Sequence, residues 1–286
     1  MKVLLLGASG MLGNMLFKQL VADDRYDVVG TVRSNAISSF FGEVERKHLL
    51  SNIDVLDFDV VTELFQKIRP DVVINCVGLI KQVSTANDPL KVLPVNAILP
   101  HRLSNMCGLI EARLIHISTD CVFSGRTGKY TEGCISDAED LYGKSKFIGE
   151  VVSSKSVVTL RTSIIGRELL TNKSLVDWFL SQEGPVKGYC KAIFSGLPTI
   201  ELSEVIRNYV IPNAELHGLY HVSSSPIDKY SLLKLIAQSC NKEIEVISDE
   251  SLVIDRSLDS SRFEIATGYK APNWQVLVDK MFKNKQ

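Results

Sequence analysis

An α/β fold built on a doubly wound parallel sheet, with a smaller mixed α/β lobe beside it, is the architecture this sequence predicts. Two observations carry the expectation. Short β-type runs alternate with segments of helical apolar spacing through the first half, the pattern of βαβ units. The runs are apolar almost throughout, as strands of a parallel sheet covered on both faces must be. With 286 residues and 45% apolar content, the chain can fill such a core.

The elements follow in order. Residues 2–6 read Lys-Val-Leu-Leu-Leu and stop at Gly7, a first strand. Across 11–20, Leu12, Met15, Leu16 and Leu20 share one helical face. Strands are expected at 27–32 and 47–50, then a helix at 60–68 whose face is Val61, Leu64, Phe65 and Ile68. Further strands are expected at 71–76, 113–118 and 156–161, with a helix starting at Tyr142 between the last two. After Gly166 the rhythm changes: helical pattern at 174–182 and 203–209, strand at 218–223, helix at 231–240, strand at 244–247 and a closing helix at 274–282. This looser alternation suits a second lobe over one edge of the sheet, with the chain returning to the sheet near 219–222.

Composition excludes several classes of function. The 32 basic and 33 acidic residues leave a net charge of -1, with no basic stripe for nucleic acid or a membrane surface. The apolar start is broken at once by Gly7, Gly10, Gly13 and Asn14, and the run at 72–80 contains Asn75 and is far short of the roughly 20 residues of a membrane span. A signal peptide and a spanning helix are therefore not expected. Six cysteines without a Cys-x-x-Cys pair suit the reducing cytoplasm. The histidines form no ligand-spaced pair on a helix, so no metal is expected, and His116 reads as a core strand residue.

The first strand runs into Gly7-Ala8-Ser9-Gly10-Met11-Leu12-Gly13 and then a helix. Gly7 allows a tight turn, Gly10 lets a diphosphate approach the backbone, and Gly13 lets the helix pack closely on the strand; the helix N-terminus then receives the anion. In this strand-turn-helix setting, Gly7, Ser9, Gly10, Met11 and Leu12 are candidate dinucleotide-binding residues of a Rossmann-type domain. The expected division is residues 1–166 plus about 197–224 for the dinucleotide, and about 167–196 plus 225–286 for a substrate lobe. An NAD site places a carboxylate at the end of the second strand, whereas an NADP site places a cation there. That strand ends in Arg33, and Asp27 begins it, pointing away. The pattern favours NADP; an exposed Arg serving only solvation is the other reading, and NAD stays open.

Tyr142 and Lys146 lie one helical turn apart on one face. A phenol is a poor acid-base group at neutral pH until a neighbouring ammonium stabilises its phenolate, and Lys146 is the candidate. Tyr-x-x-x-Lys is common, and a solvated helix start would explain most matches. What lifts this one is His116-Ile117-Ser118-Thr119-Asp120 closing the fifth strand, which puts the Thr119 hydroxyl at the carboxyl edge of the sheet, where open α/β folds bind ligands.

The glycine turn, Asp54-Val55, Asn75-Cys76-Val77-Gly78, Ser118-Thr119-Asp120-Cys121-Val122-Phe123-Ser124-Gly125 and Tyr142-Gly143-Lys144-Ser145-Lys146 together resemble the extended short-chain dehydrogenase/reductases. Within them the chain most resembles the dTDP-4-dehydrorhamnose reductase branch, through Leu160-Arg161-Thr162-Ser163, Gly196-Leu197-Pro198-Thr199 and Asp255-Arg256-Ser257-Leu258-Asp259. The resemblance implies Thr119, Tyr142 and Lys146 as the catalytic set. It implies Asp54 and Val55 beside the adenine, and Cys76, Val77 and Gly78 beside the cofactor ribose. Two departures are visible: Cys76-Val77 replaces the usual paired alanines, and Cys121 stands where a Tyr is common, which bears on the substrate pocket.

The resemblance implies an NADPH-dependent reductase of a nucleotide-linked 4-keto-6-deoxy sugar, in cell-surface polysaccharide precursor synthesis. Thr119, Cys121 and Arg256 are the candidate substrate contacts, Arg256 for the diphosphate, with a surface pair to Asp255 or Asp259 as its bland alternative. An NAD-dependent epimerase or dehydratase is the runner-up, although Asp120 is followed by Cys121 and not by Glu. A noncatalytic NADP-binding subunit regulating a partner enzyme is the third reading. Among partners, a homodimer stays open.

Overall fold

The computed structural model describes residues 1–81, 86–169, 172 and 174–283. Its first half runs β1 (Lys2–Leu6), α1 (Met11–Val21), β2 (Asp27–Thr31), α2 (Glu43–Lys47), β3 (Leu49–Leu50), α3 (Phe58–Ile68), β4 (Val72–Asn75), α4 (Pro89–Leu93), α5 (Leu99–Leu109), β5 (Arg113–Thr119), α6 (Leu141–Ile148) and β6 (Val157–Thr162). The second half runs β7 (Ile164–Ile165), α7 (Leu175–Ser181), β8 (Val186–Tyr189), β9 (Ala192–Phe194), β10 (Leu197–Pro198), α8 (Thr199–Val205), β11 (Gly218–His221), β12 (Ile227–Asp228), α9 (Lys229–Ser239), β13 (Val246–Asp249), β14 (Ile254–Asp255), α10 (Ser261–Thr267) and α11 (Trp274–Lys283).

Seven strands form one sheet in the order β3-β2-β1-β4-β5-β6-β11, every pair parallel. This is the doubly wound order with one strand added beyond β6. The return to the sheet expected near 219–222 is β11, paired to β6 with Leu219 opposite Thr159. Strand alternation divides the core. Val3 and Leu5 pack with Leu12, Leu16 and Leu20 of α1 on one face, and Leu4 and Leu6 pack with Val61, Phe65, Leu99 and Leu103 on the other. The remaining strands are short and make three small sheets, β10-β7, β12-β9-β14 and β13-β8. Among the described residues no helix is long and apolar enough to cross a membrane.

Several expected boundaries move. The third strand is only Leu49–Leu50, because Lys47 still belongs to α2. The helix expected at 203 begins at Thr199: Thr199, Ile200, Glu201, Leu202 and Ser203 are all buried, so no apolar-polar period marks its start. Buried Glu201 is compensated there by Lys280 Nζ at 2.6 Å and the Tyr269 hydroxyl at 2.9 Å. The strand expected at 244–247 is Val246–Asp249. The helices at Pro89–Leu93 and Leu99–Leu109, joined by a π-helical turn at Pro94–Ile98, were not expected at all. Their prolines read as breakers. Pro89 opens the first of them, where the missing N–H costs little, whereas Pro94 and Pro100 fall inside the continuous helical run and accompany its π-helical turn.

One of the tightest contacts in the sheet half is between α1 and the turn that feeds it. A Cβ on Gly13 would lie 2.1 Å from the Gly7 carbonyl oxygen. Gly13→Ala is therefore expected to lower stability by about 1–3 kcal/mol or more, seen as a lower urea midpoint. Gly108→Ala is the control: in α5 a methyl there meets nothing within 4 Å, and a gain of about 0.5–1 kcal/mol is expected.

Candidate active site

Between β1 and β4 the winding of the sheet reverses, and the turns leaving these two strands meet at its carboxyl edge. Gly7 has φ +87°, and a Cβ on it would lie 2.9 Å from Val77 Cγ2 of the neighbouring turn. The turn is pinned by Ala8 N donating to Thr31 O at 2.9 Å and Gly10 N donating to Gly7 O at 3.1 Å. Gly10 is exposed, and a Cβ there would approach only Gly7 O, at 3.5 Å. As the N-cap of α1, Gly10 offers no side chain to the first-turn amides. Ser9 and Met11 are partly exposed beside it, whereas the Leu12 side chain is in the core, leaving its backbone N–H as what it can offer. An open backbone surface at a helix N-terminus suits a diphosphate.

The other predicted cofactor residues line the same edge. Arg33 is exposed, two residues beyond the end of β2. Asp54, after β3, accepts from Leu56 N at 3.0 Å, and Val55 packs into the core. Cys76, Val77 and Gly78 leave β4, with Cys76 N donating to Leu6 O at 3.1 Å and Val77 N donating to Asn75 Oδ1 at 3.1 Å.

Asn96 was missed by the sequence reading. Fully buried in the π-helical turn, it accepts from Leu79 N at 2.8 Å and donates to Leu79 O at 3.0 Å and Ser145 Oγ at 3.2 Å. Ser145 Oγ in turn donates to Tyr142 O at 2.8 Å, so Asn96 ties the loop after β4 to the helix that carries Tyr142. An asparagine inside the apolar run Val95-Asn96-Ala97-Ile98-Leu99 was the available signal, and π-helical turns recur at functional sites.

Thr119 closes β5, and Tyr142 and Lys146 lie on α6, whose N-cap Asp140 accepts from Gly143 N at 2.7 Å. The helix sits directly on the turn after Thr119, since a Cβ on Gly143 would lie 2.2 Å from Cys121 O. Thr119 Oγ1 donates to Asp120 Oδ1 and accepts from Cys121 N, both at 3.2 Å. Lys146 is buried, and its Nζ donates to Ile117 O at 2.7 Å. The sequence thus places Thr119, Tyr142, Lys146 and Cys121 on elements that meet at one edge.

Burial dominates the electrostatics. It lowers Lys146 to about 8, against the opposing pull of Glu150 and Cys76. It raises the Tyr142 phenol, with Cys121 adding to the rise and the Thr119 hydroxyl acting against it. The lowering of the phenol expected from Lys146 does not appear: the groups acting on Tyr142 beside burial are Cys121, Thr119, Asp120 and Asp140. Burial also raises Asp120, opposed by Arg256, and raises the Cys121 thiol to about 12. Arg256 Nε donates to Phe123 O at 2.8 Å. Asp255 instead accepts from Ser257 N and Asp259 from Ser261 N, and among the described residues neither forms an ion pair with Arg256. Lys229 was a second omission. At the start of α9 its ammonium lies 4.1 Å from the Phe194 ring centre, and burial lowers it to about 8 against the pull of Asp120 and Cys121.

Known proteins share the sequence and fold of this chain over nearly its whole length. The family model described as "RmlD substrate binding domain" matches residues 1–286. The chain is 24% identical over 299 residues to a dTDP-4-dehydrorhamnose reductase of Aggregatibacter actinomycetemcomitans, covering 96% of each protein. It is also 24% identical over 313 residues to the methionine adenosyltransferase 2 subunit beta of Xenopus laevis, covering 99% of this chain and 90% of that one. Among solved structures, a dTDP-4-dehydrorhamnose reductase from Bacillus anthracis in complex with NADP superposes with a TM-score of 0.82 at 22% identity, covering 100% of this chain and 99% of the other.

Buried Lys146 and half-buried Lys229 make stability depend on pH in a definite direction. Native Lys146 and Lys229 lose their protons near pH 8, whereas in the unfolded chain they keep them to 10.5, so the unfolded state binds more protons and stability rises with pH. Above about 9 the opposite sign sets in, because Cys76, Cys107 and Cys121 hold their protons to about 12 when folded. Urea denaturation is expected to show stability increasing from pH 8 to 9, and the double variant Lys146→Met/Lys229→Met is expected to lose that increase.

Proposed function

The chain belongs to the RmlD substrate binding domain family, and from that membership and the geometry of its edge we propose an NADP-dependent reductase of a nucleotide-linked 4-keto-6-deoxy sugar. Its setting on this reading is cytoplasmic synthesis of precursors for cell-surface polysaccharide. The observation that carries the proposal is the meeting of Thr119, Tyr142 and Lys146 at the strand ends beside the open glycine turn.

NADPH, when bound, supplies a hydride to the keto carbon. The chain's own groups do the rest. The exposed Gly10 backbone and the first-turn amides of α1 hold the diphosphate, and Arg33 takes the 2′-phosphate. Tyr142 gives its phenolic proton to the developing alkoxide, a far stronger base than a phenolate, so its raised affinity for the proton does not prevent transfer. Thr119 orients the carbonyl oxygen, and Lys146 holds the ribose and stabilises the phenolate left behind. Cys121, Arg256 and Lys229 meet the sugar nucleotide, the two cations suiting its diphosphate. The sheet half, residues 1–166 with about 197–224, serves the dinucleotide, and about 167–196 with 225–286 serves the substrate.

A regulatory subunit without turnover is the second reading, favoured by the likeness to methionine adenosyltransferase 2 subunit beta along 99% of the chain. A panel of nucleotide-linked keto sugars, assayed for NADPH oxidation, separates the two. Cofactor binding with no turnover across the panel would favour regulation.

On the reductase reading, Tyr142→Phe lowers kcat by roughly 10²-fold or more with cofactor affinity nearly unchanged, measured by steady-state kinetics and NADPH titration. Wild-type turnover in this variant removes Tyr142 as proton donor. Arg33→Ala is expected to weaken NADPH binding by about ten- to a hundredfold and to leave NADH binding unchanged. Equal weakening of both cofactors would mean that Arg33 supports the loop alone.

A further inference from the structure

One turn beyond Lys146, just past the end of α6, lies Glu150, a buried carboxylate to which the mechanism above assigns no part. Its Oε1 accepts from Ser118 Oγ at 2.6 Å and from Arg161 Nε at 2.7 Å, and its Oε2 accepts from Arg161 Nη2 at 2.6 Å. Glu150 and Arg161 are 8% and 2% exposed, so this is a two-pronged ion pair inside the protein. Ser118 stands in β5 between Ile117, whose carbonyl holds Lys146 Nζ, and Thr119. The pair therefore bolts the end of α6 to the ends of β5 and β6, at the strand residues adjoining the site.

The surroundings of Lys146 give the carboxylate a further part. Cys76 faces it from the turn after β4 and stays a neutral thiol, pushed up to about 12 by burial. His116 faces it from β5 and stays neutral, pushed well below the usual imidazole range by burial and by Lys146 itself. Tyr142 on its own helix is a neutral phenol, raised by burial. Arg161 faces it from β6 only by way of Glu150, and His221 beside Arg161, 3.3 Å from its Nη1, is held neutral, lowered to about 4 by burial. Of these groups Glu150 alone carries negative charge at neutral pH. A buried ion pair is no bargain for packing, since its desolvation offsets its attraction.

We propose that the Glu150–Arg161 pair is the positioning device of Lys146: it fixes the helix end that carries the lysine against the strand ends, and Glu150 supplies the negative charge that keeps the ammonium protonated. Its consequence for turnover rests on the reductase reading, but its effect on Lys146 does not. NMR of the full chain with lysine labelled at Cε, the Lys146 signal being assigned by its loss in Lys146→Arg, reads the titration directly. The unaltered protein is expected to titrate near about 8. Glu150→Gln is expected to titrate about one pH unit lower or more, a tenfold loss of proton affinity. Glu150→Asp restores most of the difference, and Ser118→Ala, which removes a hydrogen bond and no charge, leaves the titration in place. If Glu150→Gln does not fold, Glu150→Gln/Arg161→Met leaves no unpaired charge behind and should still show a downward shift, smaller because the opposing charge of Arg161 leaves with it.

An unshifted lysine in Glu150→Gln, or in the double variant where that is the one that folds, overturns the proposal. In NADPH oxidation assays the alkaline limb should move down with the lysine. A shifted lysine in a chain that reduces no keto-sugar nucleotide supports the pair and overturns the reductase reading.

Discussion

A parallel sheet buried on both faces is the constraint on which everything else here rests. Its strands can be joined only by crossovers that run back over one face or the other, so every strand ends at the same edge and every outgoing turn gathers there. The glycine turn, the Asn75 turn and the Thr119 turn come from residues far apart in the chain, yet the register sets Leu6 opposite Thr31 and Asn75, and Thr119 opposite Thr162. No local sequence preference brings these groups together. The sheet does, and glycines let the helices close in: Gly13 over the Gly7 carbonyl, Gly143 over the Cys121 carbonyl.

The same burial shapes the chemistry of the edge. Taking groups out of water favours their neutral forms, so the thiols of Cys76 and Cys121 and the phenol of Tyr142 hold their protons more tightly, while Lys146 and Lys229 hold theirs less tightly. What charge survives is placed by partners. Lys146 has the Ile117 carbonyl and the nearby Glu150, Lys81 has Asp140 at 2.5 Å, and Asp120 has the field of Arg256 and Lys229. The edge is thus an open surface whose buried groups are mostly neutral, with a few cations set near it.

Much of this was legible in the sequence, for reasons that differ from element to element. The strands of the central sheet announce themselves because doubly buried strands are continuously apolar, and α1 and α3 because each buries one helical stripe of apolar residues. Gly7 and Gly13 were readable because a left-handed turn and a close backbone approach leave no alternative residue. By contrast, α8 is buried nearly all round and shows no period, and prolines at the starts of the Pro89–Leu93 and Leu99–Leu109 helices hid them. Asn96 stood out only as a polar residue in an apolar run, and its role, like that of Lys229, comes from partners far away in sequence, Ser145 for one and Asp120 for the other, which only folding makes neighbours. The short strands of the lobe, such as Ile227–Asp228 against Ala192–Phe194, are too brief to carry any pattern.

The outermost strand of the sheet, β11, is made long after its partner. Between Thr162 at the end of β6 and Gly218 at the start of β11, the chain leaves the sheet and builds α7, β8, β9 and α8. During synthesis on the ribosome the outer side of β6 therefore waits with its ladder of N–H and C=O groups unanswered while all of that length emerges, a template open to any passing strand. β6 is buried along its whole length in the finished protein, and the side chains waiting with it include the apolar Val157, Val158 and Leu160. The nascent chain is thus most prone to sticking in the interval before Gly218–His221 arrives, and the edge that closes last is the one a chaperone would have most reason to cover.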